Sequence, residues 1–389
     1  MINTINVMVP SDFPVVNTTQ GGYVVNSKRP TAGDVARLAG VSQSTVSMIL
    51  NSKPGASFST HTINKVVDAA RELNYDVKKS RRFVVDREDP FIAVVSPTLA
   101  NPYYSALVQS FENEASARGY GTLVCNTYRD PNIENRYIDL FSKSALHGIV
   151  FTFMPYHWAK VKALSLSMPT VIVSDKNQSM DIDTVELNST EAGELIARHL
   201  LELGHRKMAF LTTPLGENNL PRARRLQGLR NEIQAAGGEL IVAESTTGMM
   251  LQKYSLDLEY DVGHELAQAY VNDPSVTALI GINDMVAFGI LDALEERGIS
   301  VPGERSVCGF DNIFPSKFRR VALTTIDSFL TAKGRDAFEL LYRKMPHEEP
   351  QPQTGIFRIE YKPELVVRGS TGPCPAPCGK HHTAPASQL

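Results

Sequence analysis

Uncharged polar side chains cluster on the second of two short helices predicted around Gly40. The side chains that this second helix would expose are Gln43, Ser44, Ser47, Met48 and Asn51. Amide and hydroxyl groups can hydrogen bond with base edges in the major groove of DNA, whereas Met48 has no donor for a guanine. A helix pair joined by a tight glycine-containing turn can place its second helix in that groove. The pattern favours DNA binding, and an ordinary three-helix packing module is the alternative.

A second set of polar and aromatic residues is selected by its position relative to the ends of predicted strands. The set comprises Asn101, Tyr103, Tyr104, Asp175, Arg225, Asn283, Asp284 and Asp311. Open parallel sheets bind ligands beyond the carboxyl ends of their strands, so these side chains are predicted to share one cleft. Asp284 could accept hydrogen bonds from paired hydroxyls, and the two tyrosine rings could stack on a sugar. The alternatives are a helix cap for Asp284, a surface position for Arg225 and simple wall packing for the tyrosines.

The distribution of charge supports the prediction of DNA binding. Between Lys28 and Phe83, ten Lys or Arg residues outnumber four Asp or Glu residues, although the whole chain has a formal net charge of −3. A basic segment on an acidic body suits DNA, because contacts to the phosphate backbone supply most non-specific affinity. Lys53 is expected to contact phosphates beside the helix pair. A solvated basic helix face is the alternative.

Other classes of protein find little support in the sequence. The four cysteines are too few for a disulfide framework, and no apolar run is long enough to span a membrane, so a cytoplasmic protein with reduced thiols is expected. Nucleotide-binding glycine loops, a Gly-x-Ser-x-Gly elbow and a His-Glu-x-x-His motif are all missing, so no enzyme is predicted. Cys374, Cys378, His381 and His382 could hold a metal, but their spacing is unusual. Neither a metal nor a cofactor is predicted.

Three helices are predicted in the basic segment. Thr31 followed by Asp34 is a capping-box-like start for the first helix, and Ser42 can cap the second. The inward-facing residues of the third helix, at about residues 59–73, are predicted to be Ile63, Val66, Val67, Ala70 and Leu73. Residues 29–75 are expected to form this head, after a flexible leader at 1–28 and before a linker at 76–88. A start codon assigned too far upstream would also explain the leader.

Apolar runs alternate with amphipathic segments from residue 91 onward. Strands are predicted at Phe91–Ser96, Gly121–Asn126, Gly148–Phe153, Thr170–Ser174, Lys207–Thr212, Ala278–Gly281 and Ser306–Phe310. Helices are predicted at Tyr103–Arg118, Ile133–Ser144, Glu191–Leu203, Pro221–Ala236, Tyr260–Asn272 and Asp284–Arg297. This alternation indicates parallel sheets that are covered on both faces, arranged as two α/β units.

The head resembles that of the LacI/GalR family of bacterial repressors. The family signature is followed by Asp34-Val35-Ala36, Ala39-Gly40-Val41-Ser42, Thr45-Val46-Ser47, Leu50-Asn51 and Leu73-Asn74-Tyr75, apart from about two extra residues near Gly55–Ser59. The resemblance implies that Ser42 and Asn51 contact the DNA backbone while Gln43, Ser44 and Met48 read bases. Many relatives have Arg or His where this chain has Met48, so the base preference there does not carry over. All residues predicted to contact DNA are Thr31, Ser42, Gln43, Ser44, Thr45, Ser47, Met48, Asn51, Lys53, Arg81 and Phe83.

The family's hinge implies a role for the segment that follows the head. In the family, a short Ala-Arg-x-Leu helix forms on operator DNA and inserts its Leu into the minor groove. Here Ser80-Arg81-Arg82-Phe83 falls at those positions, so Phe83 would be the inserted side chain. A basic linker that grips phosphates without kinking the DNA is the alternative, because Asp76-Val77 replaces the family's Pro-Asn.

The rest of the chain resembles the family's periplasmic-binding-protein-like body. The implied fold class is an all-α helix-turn-helix head with an α/β body, at 89–369, of two Rossmann-like lobes. The first lobe is expected at about 89–188 and 327–350, the second at about 189–326 and 351–369, and a disordered tail at 370–389. In the family, the residue matching Arg225 binds effector hydroxyls or a carboxylate through its fork of donors.

These resemblances imply a sequence-specific transcription regulator, and more specifically a repressor. Its affinity for double-stranded operator DNA would be controlled by a small-molecule effector, expected to be a sugar or sugar derivative ahead of a nucleoside or amino-acid-like ligand. A homodimer on a pseudo-palindromic operator is also implied. The alternative is a receptor-like or enzymatic two-lobed protein whose helical head is only a packing or interaction module.

Overall fold

The computed structural model describes residues 31–50, 58–73, 90–175, 181–215, 219–246, 255–345 and 355–375. These residues belong to two compact units, a head within residues 8–88 and a body that begins at residue 89. The predicted leader and the predicted linker lie outside the described residues. So do four of the predicted DNA-contacting residues, which are Asn51, Lys53, Arg81 and Phe83.

The described part of the head forms the helices α1 (Ala32–Ala39), α2 (Gln43–Leu50) and α3 (Thr60–Glu72). A capping box starts α1, in which the backbone N–H of Thr31 donates to the Asp34 carboxylate at 2.9 Å and Asp34 N–H donates to Thr31 Oγ1. Gly40 ends α1 with a left-handed φ of 65°, which glycine adopts without strain. The buried side chains between the helices are Val35, Ala36, Ala39, Val46, Val66, Ala69 and Ala70.

One prediction for the core of the head is wrong. The side chain of Ile63 is 38% exposed, although its spacing from Val66 places both residues on one face of α3. The reason is the difference in helix length, because α1 and α2 have 8 residues each and α3 has 13. Two short helices cannot cover the whole apolar face of a longer one, and Ile63 lies in the first turn of α3.

The body contains two parallel sheets. Its strands are β1 (Phe91–Ser96), β2 (Gly121–Asn126), β3 (Gly148–Phe151), β4 (Thr170–Val173), β5 (Asp183–Leu187), β6 (Lys207–Thr212), β7 (Glu239–Glu244), β8 (Ala278–Gly281), β9 (Ser306–Cys308), β10 (Thr325–Asp327), β11 (Arg358–Tyr361) and β12 (Glu364–Val366). The sheet of the first lobe has the order β11-β5-β4-β3-β1-β2, and that of the second lobe has the order β7-β6-β8-β9. The remaining pair, β10 and β12, is antiparallel. The prediction of two parallel-sheet lobes is confirmed.

Helices cover these sheets and enclose the apolar core. They are α4 (Pro102–Ala117), α5 (Pro131–Phe141), α6 (Trp158–Ser165), α7 (Ser189–Glu202), α8 (Leu220–Ala235), α9 (Leu258–Ala267), α10 (Asp284–Glu295) and α11 (Leu330–Lys344). On β1, Ile92 and Val94 pack against α4 and α11, whereas Ala93 and Val95 pack against α5 and α6. The first sheet is therefore buried on both faces, as expected for parallel strands that read as continuous apolar runs.

Two predicted boundaries in the body are wrong. Residues 351–369 do not all belong to the second lobe, because β11 adds to the edge of the first sheet, where Ile359 lies beside Val185 of β5. Residues 370–375 are not part of a disordered tail, since Ser370 is buried and its hydroxyl donates to the Val307 carbonyl at 2.6 Å. Ser370 is thus held against β9 as part of the ordered body. The Pro-rich composition of this segment does not reveal that contact.

The expectations about a membrane span and a metal site can be compared with the structure only within the described ranges. Within them, no helix is long and apolar enough to cross a membrane. They also contain no group of three or more His, Cys, Asp or Glu side chains placed to hold a metal ion. Cys378, His381 and His382 lie outside these ranges. A metal site in the tail therefore stays an alternative that rests on the sequence alone.

Candidate functional site

The exposed surface of α2 carries the residues predicted to read bases. Gln43 and Ser44 are exposed in its first turn, and Met48 is half-buried one turn later. Ser42 organises the start of the helix, because its Oγ accepts a hydrogen bond from Thr45 N–H at 3.1 Å and lies 2.7 Å from Ser44 Oγ. The free N–H groups and the dipole of a helix N-terminus favour a phosphate nearby.

Three other predicted DNA contacts have structural surroundings of their own. The Thr31 hydroxyl donates to the Asp34 carboxylate at 2.7 Å, and the Thr45 hydroxyl lies 2.8 Å from that of Ser42. Ser47 is half-buried on α2. The hydroxyls of Thr31 and Thr45 therefore stabilise helix starts, and the backbone N–H groups of both residues donate within the same caps.

A cavity of about 230 Å³ lies between the two lobes, lined by residues that follow β1, β3, β4, β6, β8 and β9. Seven of the eight residues predicted to bind the effector line it. They are Asn101, Tyr103, Tyr104, Asp175, Arg225, Asn283 and Asp311. The rule that ligands bind beyond strand ends thus locates this cavity from the sequence.

Arg225 is the central cation of the cavity. From α8 it donates through Nη2 to Asp311 Oδ1 at 2.9 Å and through Nη1 to the Ile282 carbonyl at 2.8 Å. Its Nε is buried and has no hydrogen-bond partner. The guanidinium carbon lies 4.8 Å from the ring centroid of Phe310. Two of its three nitrogens are held by the protein, and the third has no hydrogen bond within the described residues.

Two glycines place Arg225 by allowing α7 and α8 to touch. A Cβ at Gly193 of α7 would lie 2.1 Å from the Arg225 carbonyl oxygen, and a Cβ at Gly228 of α8 would lie 2.0 Å from the Thr190 carbonyl oxygen. No larger residue fits at either position without moving a helix. The backbone of Arg225 is therefore fixed by direct helix-to-helix contact.

Aromatic side chains form one wall of the cavity. The rings of Tyr103 and Tyr104 meet edge to face, with centroids 4.9 Å apart. Burial raises the pKa of Tyr103 far above its ordinary value, so its hydroxyl is a neutral donor. Asn101 caps α4 by accepting from Tyr103 N–H at 2.8 Å. Trp158 does not line the cavity and packs against the apolar core beneath the first sheet.

A cluster around Glu259 joins the two lobes at the edge of the cavity. Glu259 of α9 accepts from Asn101 Nδ2 and from Arg222 Nη2, at 2.5 Å in each case, and Arg129 Nη2 lies 3.6 Å away. Burial alone would raise its pKa, but Arg222 and Arg129 lower the pKa of Glu259 to about 2. The carboxylate is therefore ionised at neutral pH and holds both lobes. This cluster was not predicted from the sequence, although Arg129 follows β2 closely enough for the strand-end rule to find it.

The predicted role of Asp284 is wrong. Its side chain does not line the cavity, because Oδ2 accepts from Ile313 N–H at 3.0 Å and Ser316 Oγ at 2.6 Å, and Oδ1 accepts from Thr325 Oγ1 at 2.6 Å. Burial raises its pKa to about 7. Asp284 is saturated by protein donors, and it holds the segment after β9 in place.

Lys333 is a cavity residue that was not predicted from the sequence. It lies in the first turn of α11, is 4% exposed and lines the same wall as Asp175. Asp175 Oδ2 is buried without a hydrogen-bond partner and lies 3.5 Å from Arg224 Nη1. Close packing sets the position of Lys333, because a Cβ on the neighbouring Gly334 would lie 2.7 Å from the Leu107 carbonyl oxygen of α4. The helical pattern of α11 was not recognised, so no local signal marked this lysine.

A three-helix head whose second helix exposes polar side chains and a two-lobed body with a charged cleft are together typical of a DNA-binding regulator with a small-molecule site. Comparison with known proteins supports this class of protein. The family model for bacterial regulatory proteins of the lacI family matches residues 31–77. The model for periplasmic binding proteins and the sugar binding domain of the LacI family matches residues 89–364. The chain belongs to the LacI family.

Individual relatives support this assignment over most of the chain. The ribose operon repressor of Escherichia coli (strain K12) is 30% identical over 344 residues, which cover 87% of this chain and 99% of that protein. The HTH-type transcriptional repressor PurR of Haemophilus influenzae (strain PittEE) is 29% identical, with 87% and 98% covered. These relatives are repressors, so the prediction of a transcription regulator that is not an enzyme is confirmed.

The fold has a close counterpart among solved structures. A LacI family transcriptional regulator from Enterococcus faecium with bound ribose superposes with a TM-score of 0.61. It is 22% identical, and the match covers 73% of this chain and 99% of that one. Together with the family models for the head and the body, this structure confirms the predicted fold class.

Proposed function

We propose that this chain acts as a homodimeric repressor whose affinity for a pseudo-palindromic operator is set by a sugar-like effector bound between the lobes. The observation that carries the proposal is the unsatisfied polar lining of the cavity. Arg225 Nε offers a buried donor and Asp175 Oδ2 a buried acceptor, and neither has a hydrogen-bond partner. A ligand with several hydroxyls satisfies both, and the related structure from Enterococcus faecium holds ribose.

The proposed DNA contact is the exposed surface of α2. Gln43 and Ser44 would donate and accept hydrogen bonds at base edges, and Met48 would contact an apolar group such as a thymine methyl. The N-terminal end of α2, organised by Ser42, would lie against a phosphate. Asn51, Lys53, Arg81 and Phe83 are proposed as further contacts on sequence grounds alone.

The proposed dimer contact is an exposed aromatic pair in the second lobe. Phe314 is 70% exposed and Phe318 is 47% exposed, and their ring centroids lie 5.1 Å apart. Adjacent exposed aromatic rings on a globular surface favour a protein interface. A twofold dimer buries the same patch on both copies, which suits a self-complementary pair of rings and a pseudo-palindromic operator.

One short segment supports coupling between the proposed effector and dimer sites. Asp311 lines the cavity, and Phe314 is three residues further along the chain. Between them, Ile313 N–H donates to the buried Asp284 carboxylate at 3.0 Å. An effector that draws Asp311 toward itself would displace the aromatic pair, and through it the pairing of the two heads.

The proposal can be tested by screening ligands and then titrating operator DNA. Thermal unfolding of the full chain with ribose, other sugars and nucleosides should identify a ligand that raises the midpoint. Operator affinity measured with and without that ligand should then differ, and DNA should change ligand affinity by the same factor. A ligand that stabilises the body without changing operator affinity would disprove the regulatory part of the proposal.

A further inference from the structure

Lys333 differs from the two arginines Arg225 and Arg222 of the cavity in having no close counter-charge. It is buried, it lines the cavity wall, and among the described residues it has no hydrogen-bond partner and no carboxylate oxygen within the 4.0 Å of an ion pair. Arg225 differs, because Asp311 neutralises it at 2.9 Å, and Arg222 differs because it is paired with Glu259. Burying an ammonium group without a hydrogen bond or a close ion pair is unfavourable, so the surroundings of Lys333 favour a ligand group of opposite charge.

Two of the three other unsatisfied polar atoms in the described lining are also hydrogen-bond donors. Arg225 Nε and Arg129 Nη2 are buried donors without hydrogen bonds, and the Lys333 ammonium is a third donor. Asp175 Oδ2 is the single unsatisfied acceptor among the described lining residues. A neutral sugar can accept these hydrogen bonds, because each hydroxyl oxygen has two acceptor lone pairs, but it brings no charge to balance the Lys333 ammonium. The lining therefore favours a ligand that carries acceptors and also a negative charge.

The balance of charge limits how much negative charge the ligand carries. Four cationic side chains line the cavity, and they are Arg129, Arg222, Arg225 and Lys333. The anions are three, namely Asp175 and Asp311 in the lining and Glu259 beside it. The excess is a single positive charge, and two further charges outside the lining leave it unchanged, because Arg224 beside Asp175 adds one positive charge and Asp327 near Lys333 adds one negative charge. One carboxylate matches this excess, whereas a phosphate carries about −1.5 to −2.

The size of the cavity limits the ligand further. Its volume of about 230 Å³ is below the roughly 300–1,000 Å³ that is usual for drug-sized ligands. We propose, on the basis of the function proposed above, that the effector is a monosaccharide-sized sugar acid whose carboxylate binds Lys333. Its hydroxyls donate to Asp175 and accept from Arg225 and Arg129. Lys333 is thus the residue that distinguishes acidic from neutral sugars.

The test compares sugar acids with their neutral counterparts on the full chain. Isothermal titration calorimetry is performed with D-gluconate and D-glucuronate against D-glucose, D-galacturonate against D-galactose, and D-ribonate against D-ribose. At least one acid should bind about tenfold or more tightly than its neutral partner, because a charge-assisted contact is lost without the carboxylate. Lys333→Met should reduce that preference to about threefold or less, whereas Lys162→Met, which removes an exposed lysine of the same lobe, should leave it unchanged.

Several outcomes separate this inference from the proposed function. Tight binding of a neutral sugar with no preference for its acid overturns the sugar-acid inference and leaves the effector site in place. Preferred binding of glucose 6-phosphate or ribose 5-phosphate overturns the choice of a carboxylate. Absence of binding by every sugar and acid contradicts both proposals. Thermal unfolding and operator binding of Lys333→Met and Lys333→Gln serve as controls that these variants fold. If both variants fold and keep the preference for the acid, the proposed role of Lys333 is overturned.

Discussion

Asn101 of the first lobe donates a hydrogen bond to Glu259 of the second lobe, with 2.5 Å between Nδ2 and Oε2. The same carboxylate pairs with Arg222 of its own lobe and lies 3.6 Å from Arg129 of the other. The two lobes are therefore held beside the cavity by an ionised group that is largely buried. Contacts of this kind depend on charge, so they can be weakened without changing the apolar core.

Glu259→Gln should destabilise the body. The substitution removes the negative charge and leaves Arg222 and Arg129 buried without a counter-charge, which should lower the free energy of unfolding by about 2 kcal/mol. Urea unfolding followed by circular dichroism measures the change. The matched control is Glu239→Gln, because Glu239 is 60% exposed and its ion pair with Lys207 is 3.8 Å long. Equal and small effects of both substitutions would contradict the structural role of Glu259.

Ligand binding should depend on pH through Lys333. Burial lowers its pKa to about 8, against opposing effects of Asp175, Asp311 and Asp327, while Arg225 lowers it further. Affinity for a carboxylate ligand should therefore be full below this pKa and fall as pH rises through it. Stability should change in the opposite sense, because above about pH 8 the unfolded chain binds more protons at this lysine than the folded chain does.

Calorimetry with the sugar acid between about pH 7 and pH 9 measures the first effect, and urea unfolding without ligand measures the second. Lys333→Met should remove both. An affinity that is constant across this range would show that the Lys333 ammonium does not contact the ligand.

Arg225→Lys should weaken effector binding and leave operator binding intact in the absence of effector. Lysine keeps the positive charge, but it cannot donate to Asp311 and to the Ile282 carbonyl while also offering a donor to the ligand. Effector affinity should fall by about tenfold or more. Arg230→Lys, an exposed position on the same helix, is the control, and a similar loss there would point to damage to α8.

Substitutions in the head should separate base reading from phosphate binding. Gln43→Ala should relax base specificity, and Lys53→Ala should weaken all DNA about equally and lower the salt dependence by about one counterion. Operator and scrambled DNA, titrated at several salt concentrations, give both quantities. Lys362→Ala on the body is the control for loss of charge, since its side chain is 82% exposed. Unchanged specificity of Gln43→Ala would disprove the assignment of α2 as the reading helix.

Phe314→Asp should convert a dimer into a monomer. An exposed aromatic anchor in a twofold interface appears once in each copy, so one substitution places two like charges in the contact. Sedimentation velocity should show the halved mass, and operator affinity should fall with it. Leu166→Asp, at a position that is 86% exposed at the end of α6, should have no effect. A chain that is monomeric before substitution would remove the basis for this interface.

Much of the fold follows from the sequence because buried parallel strands read as apolar runs. Strands β1, β3, β4, β6 and β8 were predicted for this reason. The strand β5 was missed because it contains Asp183, whose carboxylate accepts from Lys344 Nζ at 2.7 Å and Phe357 N–H at 2.9 Å. Those partners are about 160 or more residues away in the chain, so no local pattern marks Asp183 as buried.

The ends of the predicted strands located the cavity from the sequence. They did not predict which of the neighbouring side chains line it. Asn283 and Asp284 are neighbours after β8, and only Asn283 lines the cavity. Glu259 and Lys333 were missed because helix packing, not a strand end, brings them to the cleft. The contact of Gly334 with the Leu107 carbonyl that positions Lys333 is a property of the assembled fold.

The tether between Asp311 and Phe314 also limits how the protein can diverge. A substitution near Asp311 that suits a new ligand shifts a backbone already in the left-handed region, with φ of 117° at Asp311 and 51° at Asn312. The pair of Phe314 and Phe318 then shifts as well, because Asp284 accepts from Ile313, which precedes Phe314, and from Ser316, which lies between the two rings in the chain. New ligand preferences should therefore arise more readily at Tyr103, Asp175 and Lys333, because these lining residues lie outside this segment and a substitution there leaves the proposed dimer contact untouched.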